Sequence, residues 1–341
     1  MALGDWVTVG IDNGGTANNG TVLTAGGRFL VDTMAELPSL VREGPEKGIQ
    51  ALVDSLDKVL AMTGVSRGQV RAVGLDTPGP ASAMGVLATG GATNFGHPGW
   101  HRFDIRGALE ERIGIPVLYN NDGNAAALYA HHVRHGGMSP ERSSVSAIVG
   151  TGFGGGVIQD GRIVKGAAGF AGELGHMPIP LNGILQPNQP VPSCNCGLEA
   201  DAESIASLTG IQRNLLPYWL TQYPEHELAA ASISRGAKMV RGYAEEGDEM
   251  ALAIFRQQAL AIGHVLSLAA KFTDPHTYFV GGGVIEAAPH FRDWFLDTVR
   301  EGTELYVEQA EVAEITLVPD LDMAGARGSA IAAAEWARQS L

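Results

Sequence analysis

Apolar residues alternate with small or polar ones from Val7 to Ile11 and then give way to Asp12-Asn13-Gly14-Gly15-Thr16, so the chain opens as a strand running into a glycine turn. Thr21-Val22-Leu23 and Arg28-Phe29-Leu30-Val31 flank Ala25-Gly26-Gly27 and predict a hairpin. The same order returns later. Val145 to Val149 runs into Gly150-Thr151-Gly152-Phe153-Gly154-Gly155-Gly156, and Val157-Ile158-Gln159 and Arg162-Ile163-Val164 flank Asp160-Gly161. A repeated strand, loop and hairpin predicts two similar α/β lobes facing each other across a cleft. Between the repeats, apolar spacing predicts helices over 48–62, 105–113 and 124–132 and strands over 70–75 and 116–119. Prolines at 178, 180, 187, 190 and 192 make 177–193 a loop. Helical spacing then covers 199–208 and, with breaks, 227–272, before a strand over 278–280 and helices around 291–300 and 324–339. Strands alternating with helices point to a mostly parallel core.

A chain of 341 residues exceeds what one core usually supports, so two domains are expected. Hydrophobic content of 45% with 18% charged residues describes a globular protein rather than a disordered one. The net charge of -14, with no cluster of Lys and Arg, argues against a nucleic-acid partner. No basic leader precedes the first strand, and no segment reads as the roughly 18 apolar residues of a membrane span. The expectation is a cytoplasmic protein without a membrane partner. The two cysteines, Cys194 and Cys196, cannot form a disulfide framework, and one residue apart they read better as metal ligands.

Three glycine segments carry candidate chemistry. Asp12-Asn13-Gly14-Gly15-Thr16 follows a strand, and there successive N–H groups and a hydroxyl can meet an anion; a tight turn is the alternative for this loop taken alone. Gly150, Thr151 and Gly152 repeat the arrangement, and two opposed loops can grip one polyphosphate. Gly281, Gly282 and Gly283 follow a third strand and precede a helical segment, whose dipole could sit under a nucleotide. Gly150-x-Gly152-x-x-Gly155 also satisfies the dinucleotide fingerprint, but a hairpin follows where that motif needs a helix. A Gly-Lys-Ser/Thr ending is missing, which excludes a P-loop in its usual form. Asp122, in Asn120-Asn121-Asp122-Gly123-Asn124, falls at a strand-to-helix junction, where it either caps the helix or points a carboxylate at a substrate.

Glu173-Leu174-Gly175-His176, Cys194-Asn195-Cys196-Gly197 and Glu203 together place an imidazole beside two thiolates, three-quarters of a tetrahedral zinc site. This run resembles the signature of the ROK family (repressor, open reading frame, kinase), in which Glu-x-Gly-His precedes Cys-x-Cys-Gly-x-x-Gly-Cys-x-Glu around a structural zinc. Aligned without a gap, Asp201 stands where the third cysteine falls, and the trailing glutamate is Glu203. Asn121-Asp122-Gly123-Asn124 with the following alanines resembles the family's catalytic motif, with Gly123 replacing an alanine. Asp76-Thr77-Pro78-Gly79-Pro80 resembles its Pro-Gly-Pro loop. Ala17 replaces a frequent lysine, and the segment from His176 to Cys194 is longer than usual.

The resemblance implies a two-lobed actin-like ATPase fold with a nucleotide and sugar cleft, one lobe formed by 1–120 with 323–341 and the other by 121–322. It implies an ATP-dependent hexose kinase with Asp122 as base. Asn94, Asn121, Asp122, Glu173, His176 and Glu203 would contact the sugar, and Asp12 would hold Mg²⁺ through water. His176, Cys194, Cys196 and Asp201 would bind Zn²⁺, and the family expectation is a homodimer. The early first strand leaves no room for the helix-turn-helix of the family's repressors. A sugar sensor without catalysis, and a kinase using polyphosphate, remain open as alternatives. So does the sugar, with glucose the default among hexoses and aminosugars.

Overall fold

The computed structural model describes residues 6–79, 81–89, 94–136, 141–319 and 323–340. Two compact units emerge, one formed by Met1–Pro140, Gly161–Gly172 and Pro319–Leu341, the other by Glu141–Asp160 and Glu173–Val318.

In the first unit, β1 (Val7–Asn13) turns through the first glycine loop into β2 (Ala17–Thr24), and the two pair antiparallel from Val7↔Thr24 to Asn13↔Asn18. The first glycine segment is therefore itself the hairpin turn. The hairpin expected at 21–31 is reduced to one bridge, Leu23↔Phe29. The Phe29 ring packs instead on Tyr129 and His132, and that contact draws the chain off the ladder. β3 (Leu37–Pro38) edges the sheet, α1 (Pro45–Thr63) covers it, and β4 (Val70–Thr77) pairs parallel with β1. α2 (Ile105–Ile113), capped by Asp104, leads to β5 (Val117–Asn121), which is parallel to β4, and then to α3 (Asp122–His135). The order is β3-β2-β1-β4-β5, a mixed sheet rather than a mostly parallel one.

The second unit repeats this plan. β6 (Ser144–Val149) pairs antiparallel with β7 (Phe153–Gln159) across Gly150-Thr151-Gly152; the short β8 (Arg162–Ile163), after the Asp160-Gly161 turn, belongs to the Gly161–Gly172 segment of the first unit. From 177 to 202 no helix or named strand forms, as the prolines require. The helix expected over 199–208 is shorter: α4 (Glu203–Ala206) and α5 (Leu208–Gly210) are separated by Ser207. A π turn at Ile211–Leu215 enters α6 (Leu216–Gln222), where Pro217 has no N–H to give the preceding turn. α7 (Ile233–Glu245) and α8 (Glu249–Thr273) precede β9 (Thr277–Gly282), which is parallel to β6. α9 (Pro289–Glu301), α10 (Val307–Val312) and β10 (Glu314–Leu317), parallel to β9, complete this unit. The strands of this unit run in the order β10-β9-β6-β7, the counterpart of β5-β4-β1-β2.

By length and composition α8 could cross a bilayer, which the reading of the sequence does not anticipate. Its apolar window is 67% buried, against α7, α9 and α4, so packing accounts for its hydrophobicity. In the first unit, α11 (Ala324–Gln339) lies on β1 and β4. Gly10 and Gly74 make this possible, since a Cβ on either would strike the α11 backbone at Ala326 or Ser329. That close approach seats α11 on the middle of both strands, and its first turn reaches the end of β1, where Gly325 meets Asp12.

Candidate active site

The carboxyl ends of β1, β4 and β5 bring Asp12, Asp76 and Asn120 into one register row, with Asp122 opening α3 just beyond. Asn121 caps α3, its Oδ1 accepting the Asn124 N–H at 2.7 Å. Asp122 is thus released from capping; its Oδ1 accepts the adjacent Gly123 N–H at 2.8 Å. Burial raises the Asp122 carboxyl above its ordinary value, with the Gly123 N–H acting against it. This departs from the ordinary carboxylate expected from sequence. A carboxylate whose value is raised accepts a proton more readily than an ordinary one.

Asp12 is raised to about 6, chiefly by burial, with the Asp76 hydrogen bond lowering it and Asp122 raising it. Gly325, in the first turn of α11, lies so close to Asp12 that an added Cβ would come within 2.9 Å of the carboxyl carbon. Asn94 has φ of 67°, accepts from Arg42 Nη2 at 2.5 Å, and packs its amide over Gly15, where no Cβ would fit. Gly14 donates to the Ala17 carbonyl at 2.9 Å, which closes the turn. Pro80, the last residue of the Pro-Gly-Pro segment, lies outside the described residues.

In the second unit a cavity of about 300 Å³ is lined by Gly150 and Thr151 on one side and Gly281, Gly283 and Val284 on another. Lys238 and Arg241 of α7 add two cations to the lining. The Arg241 guanidinium donates to the Gly283 carbonyl at 2.6 Å and so fixes the third glycine segment. That segment continues into a 3-10 turn, Gly283–Glu286, and α9 starts only at Pro289, so the helix expected directly behind the glycines is a single short turn. Gly282 has φ of 98°, with Val149 backbone where a Cβ would sit. Glycine loops, basic side chains and apolar walls from Phe255 and Phe295 suit a phosphate chain attached to a flat base. Lys238 and Arg241 are the residues that reading the sequence missed; their only signal is two basic positions three apart on one helix.

Beside this cavity, Glu203 opens α4 and its Oε2 accepts the Phe153 N–H at 2.8 Å. Its Oε1 lies 3.5 Å from the Cys194 sulfur. The ligand atoms of His176, Cys194, Cys196 and Asp201 all lie within 4.8 Å of one another. The bridge Pro178↔Asp201 sets Asp201 beside the segment that carries His176, and His176 Nδ1 stands 3.0 Å from Asp201 Oδ2. The bridge Ser193↔Glu199 closes a turn through Gly197, whose φ of 95° favours glycine. Asp201 is fully buried, and its other oxygen accepts the Ser204 N–H at 2.9 Å, which leaves Oδ2 facing the sulfurs. Two sulfurs, an imidazole nitrogen and a carboxylate oxygen are a donor set that fits zinc. Burial works against a charged His176, yet Asp201, Glu203 and Glu173 raise it above its ordinary value. Burial also pushes the Cys194 thiol up. Glu173 precedes the 3-10 turn that carries His176.

The structure thus gathers Asp12, Gly14, Gly15, Thr16, Asn94, Asn121 and Asp122 in the first unit. The second holds Gly150, Thr151, Gly152, Glu173, His176, Cys194, Cys196, Asp201, Glu203 and Gly281 to Gly283.

The ROK family profile matches residues 8–339. A glucokinase of Halalkalibacterium halodurans is 31% identical over 310 residues, 88% of this chain and 89% of its own length. A ROK hexokinase from Thermus thermophilus superimposes with a TM-score of 0.75 at 30% identity, covering 98% of this chain and 99% of its own. A ROK family glucokinase from Streptomyces griseus, solved in complex with glucose and AMPPNP, gives a TM-score of 0.68 at 26% identity over 96% and 99% of the two chains. The chain belongs to the ROK family, with the α/β fold of the actin-like ATPases.

Proposed function

We propose that this protein is an ATP-dependent sugar kinase that phosphorylates a hexose or aminosugar hydroxyl, the 6-OH of glucose or a close relative, with Asp122 as the general base. The observation that carries the assignment is the division of labour at the start of α3: Asn121 supplies the cap, and Asp122 stands free of that duty with a raised carboxyl. A sugar sensor would have no use for such a group. Phosphoryl transfer has a loose transition state, so the protein positions the acceptor hydroxyl, takes its proton late and neutralises the phosphates. Asp122 takes the proton. The cavity with Lys238, Arg241 and the glycine segments takes the nucleotide.

Asn94, Asn121, Glu173, His176 and Glu203 are assigned with Asp122 to the sugar hydroxyls. Gly14, Gly15, Thr16, Gly150, Thr151 and Gly152 are assigned to the phosphates. Mg²⁺ supplies charge neutralisation when bound with ATP; it keeps most of its waters, and Asp12 is the carboxylate assigned to accept hydrogen bonds from them. Zn²⁺ bound by His176, Cys194, Cys196 and Asp201 would hold the 177–202 segment in shape and orient His176. ADP release in a coupled assay over a panel of hexoses and aminosugars with Mg-ATP tests the reading. Turnover with at least one sugar is expected, and sugar binding without ADP formation would make the protein a sensor.

A further inference from the structure

Arg42 enters the account so far only through one bond, which its Nη2 gives to Asn94 Oδ1 at 2.5 Å across 52 residues of chain. The segments that carry the two residues are locked together. The Trp100 indole N–H donates to the Val41 carbonyl at 2.7 Å, and Trp100 is buried. The His97 ring lies 3.0 Å from where a Cβ on Gly44 would sit, and the Pro45 ring 2.9 Å from a Cβ on Gly99. The same turn is tied to the first glycine loop, where the Ser39 N–H donates to the Thr16 carbonyl at 3.0 Å and Ala17 pairs with Pro38. The Asn94 amide in turn rests on Gly15. Residues 38–45, 94–100 and 14–17 thus form one junction inside the first unit.

Two residues of this junction hold left-handed backbone without being glycine, Leu40 at φ 53° and Asn94 at φ 67°. Leu40 immediately precedes the 3-10 turn Val41–Glu43 that carries Arg42. Leucine is uncommon in that conformation because its Cβ crowds the following carbonyl, and such strain persists only where the surrounding packing imposes it. A guanidinium has donors only, so the Asn94 oxygen has to face it and the amide N–H groups have to face elsewhere. Asn94 Nδ2 lies against Gly15, and among the described residues it donates to no acceptor. Among the same residues the Asn94 oxygen is the one acceptor that Arg42 uses.

We propose that Arg42 is a positioning residue for the acceptor sugar: it locks the Asn94 amide so that Asn94 presents a donor, and only a donor, beside the first glycine loop. Under the assignment of Asn94 to the sugar, on which this rests, Asn94 binds a hydroxyl at its oxygen and leaves the hydroxyl proton for another acceptor. Without the guanidinium the amide is free to turn over and offer its oxygen instead, so both the bond and its direction are lost. Arg42 acts through Asn94, and its positive charge strengthens the one bond it makes.

The test uses the wild type, Arg42→Met, Arg42→Lys, Asn94→Gly and the double variant Arg42→Met with Asn94→Gly, with folding of each checked by thermal melting. Glycine suits the left-handed backbone of Asn94 and removes only the amide. Glucose, N-acetylglucosamine and N-acetylmannosamine are titrated calorimetrically without nucleotide, and the tightest binder is carried into kinetics. Arg42→Met should raise the sugar Kd and KM about 5- to 20-fold and leave the KM for Mg-ATP nearly unchanged. Arg42→Lys keeps a charged donor to the Asn94 oxygen and should bring sugar binding back to within about threefold of wild type. The double variant should lose no more than Asn94→Gly alone, since Arg42 then has nothing to position. Wild-type sugar affinity in Arg42→Met overturns the proposal, as does a lysine variant as impaired as the methionine one, or losses that multiply in the double variant. A rise confined to the KM for Mg-ATP overturns it too, and would give the guanidinium to the phosphates. So does a wild type that binds none of the three sugars. If Asn94→Gly does not fold, methionine and lysine decide alone, rescue by lysine supporting the proposal and equal impairment overturning it. The expected pattern in sugar binding without ADP formation contradicts the kinase reading and leaves the role of Arg42 standing.

Discussion

Glu203 accepts the Phe153 backbone N–H at 2.8 Å through one oxygen and meets the Cys194 sulfur at 3.5 Å through the other. One side chain therefore joins the second glycine loop to the candidate zinc cluster. Glu203→Gln keeps an acceptor for Phe153 but loses the charge that strengthens bonds to sugar hydroxyls. The sugar KM should rise about tenfold with the KM for ATP nearly unchanged. Glu203→Ala frees the loop as well, and both constants should move. Equal changes in both constants with glutamine would contradict the assignment to sugar.

Asp122 and Asn121 divide proton transfer from helix capping, with Asn121 also assigned to the sugar. Asp122→Asn removes the proton acceptor and should lower kcat by ~10²–10⁴ with little change in melting temperature. Asn121→Ala removes the cap and should cost about 1 kcal/mol of stability, and it should also raise the sugar KM. If Asp122→Asn turns over nearly normally, some other group is the base.

The metal assignment predicts one zinc per chain in protein purified without added metal. Cys194→Ser combined with Cys196→Ser should abolish it, and Asp201→Ala should weaken it by a factor measurable in competition with a chelator. Loss of zinc should lower both thermal stability and sugar affinity, because His176 is a member of the cluster and is also assigned to the sugar. Full zinc retention in Asp201→Ala would remove Asp201 from the site.

Glu335, on α11, gives a pH-dependent stability. Burial raises its carboxyl from 4.5 to about 7, against the opposing influence of Arg338, Lys165 and Arg162. A folded-state value above the unfolded one contributes stability that is complete below the ordinary value and is lost as pH rises through about 7. Glu335→Gln should therefore melt higher than wild type near pH 8, by an amount on the order of 1–3 kcal/mol, with the difference shrinking toward pH 5. A difference that does not change with pH would show that lost contacts, not ionisation, set it.

How legible these features were follows from how local their causes are. Helix α2 could be read from apolar spacing because its face and its Asp104 cap are short-range features. The duplicated plan could be read too, since each glycine loop follows its own strand. The hairpin expected at Arg28 to Val31 failed because Phe29 packs on α3, a contact some 100 residues away in sequence that no local pattern encodes. The place of Asp76 could not be read either, because it comes from register with Asp12 and from a hydrogen bond to Ser329, 253 residues further along. Lys238 and Arg241 looked like ordinary basic residues on a helix until the glycine segments were placed beside them. His176, Cys194 and Cys196 were foreseeable from residue type and Asp201 only from the resemblance to the family's motif, while the bridge that seats Asp201 was not foreseeable.

Transfer of labelled γ-phosphate from ATP to a sugar tests the central claim most directly. Wild-type protein, Mg²⁺ and γ-labelled ATP are incubated with each member of a hexose and aminosugar panel, and the product is identified by mass spectrometry. The account predicts label on the 6-oxygen of at least one sugar, at a rate reduced ~10²–10⁴ by Asp122→Asn. Label that reaches no sugar, or that reaches one equally fast without the Asp122 carboxylate, would contradict it.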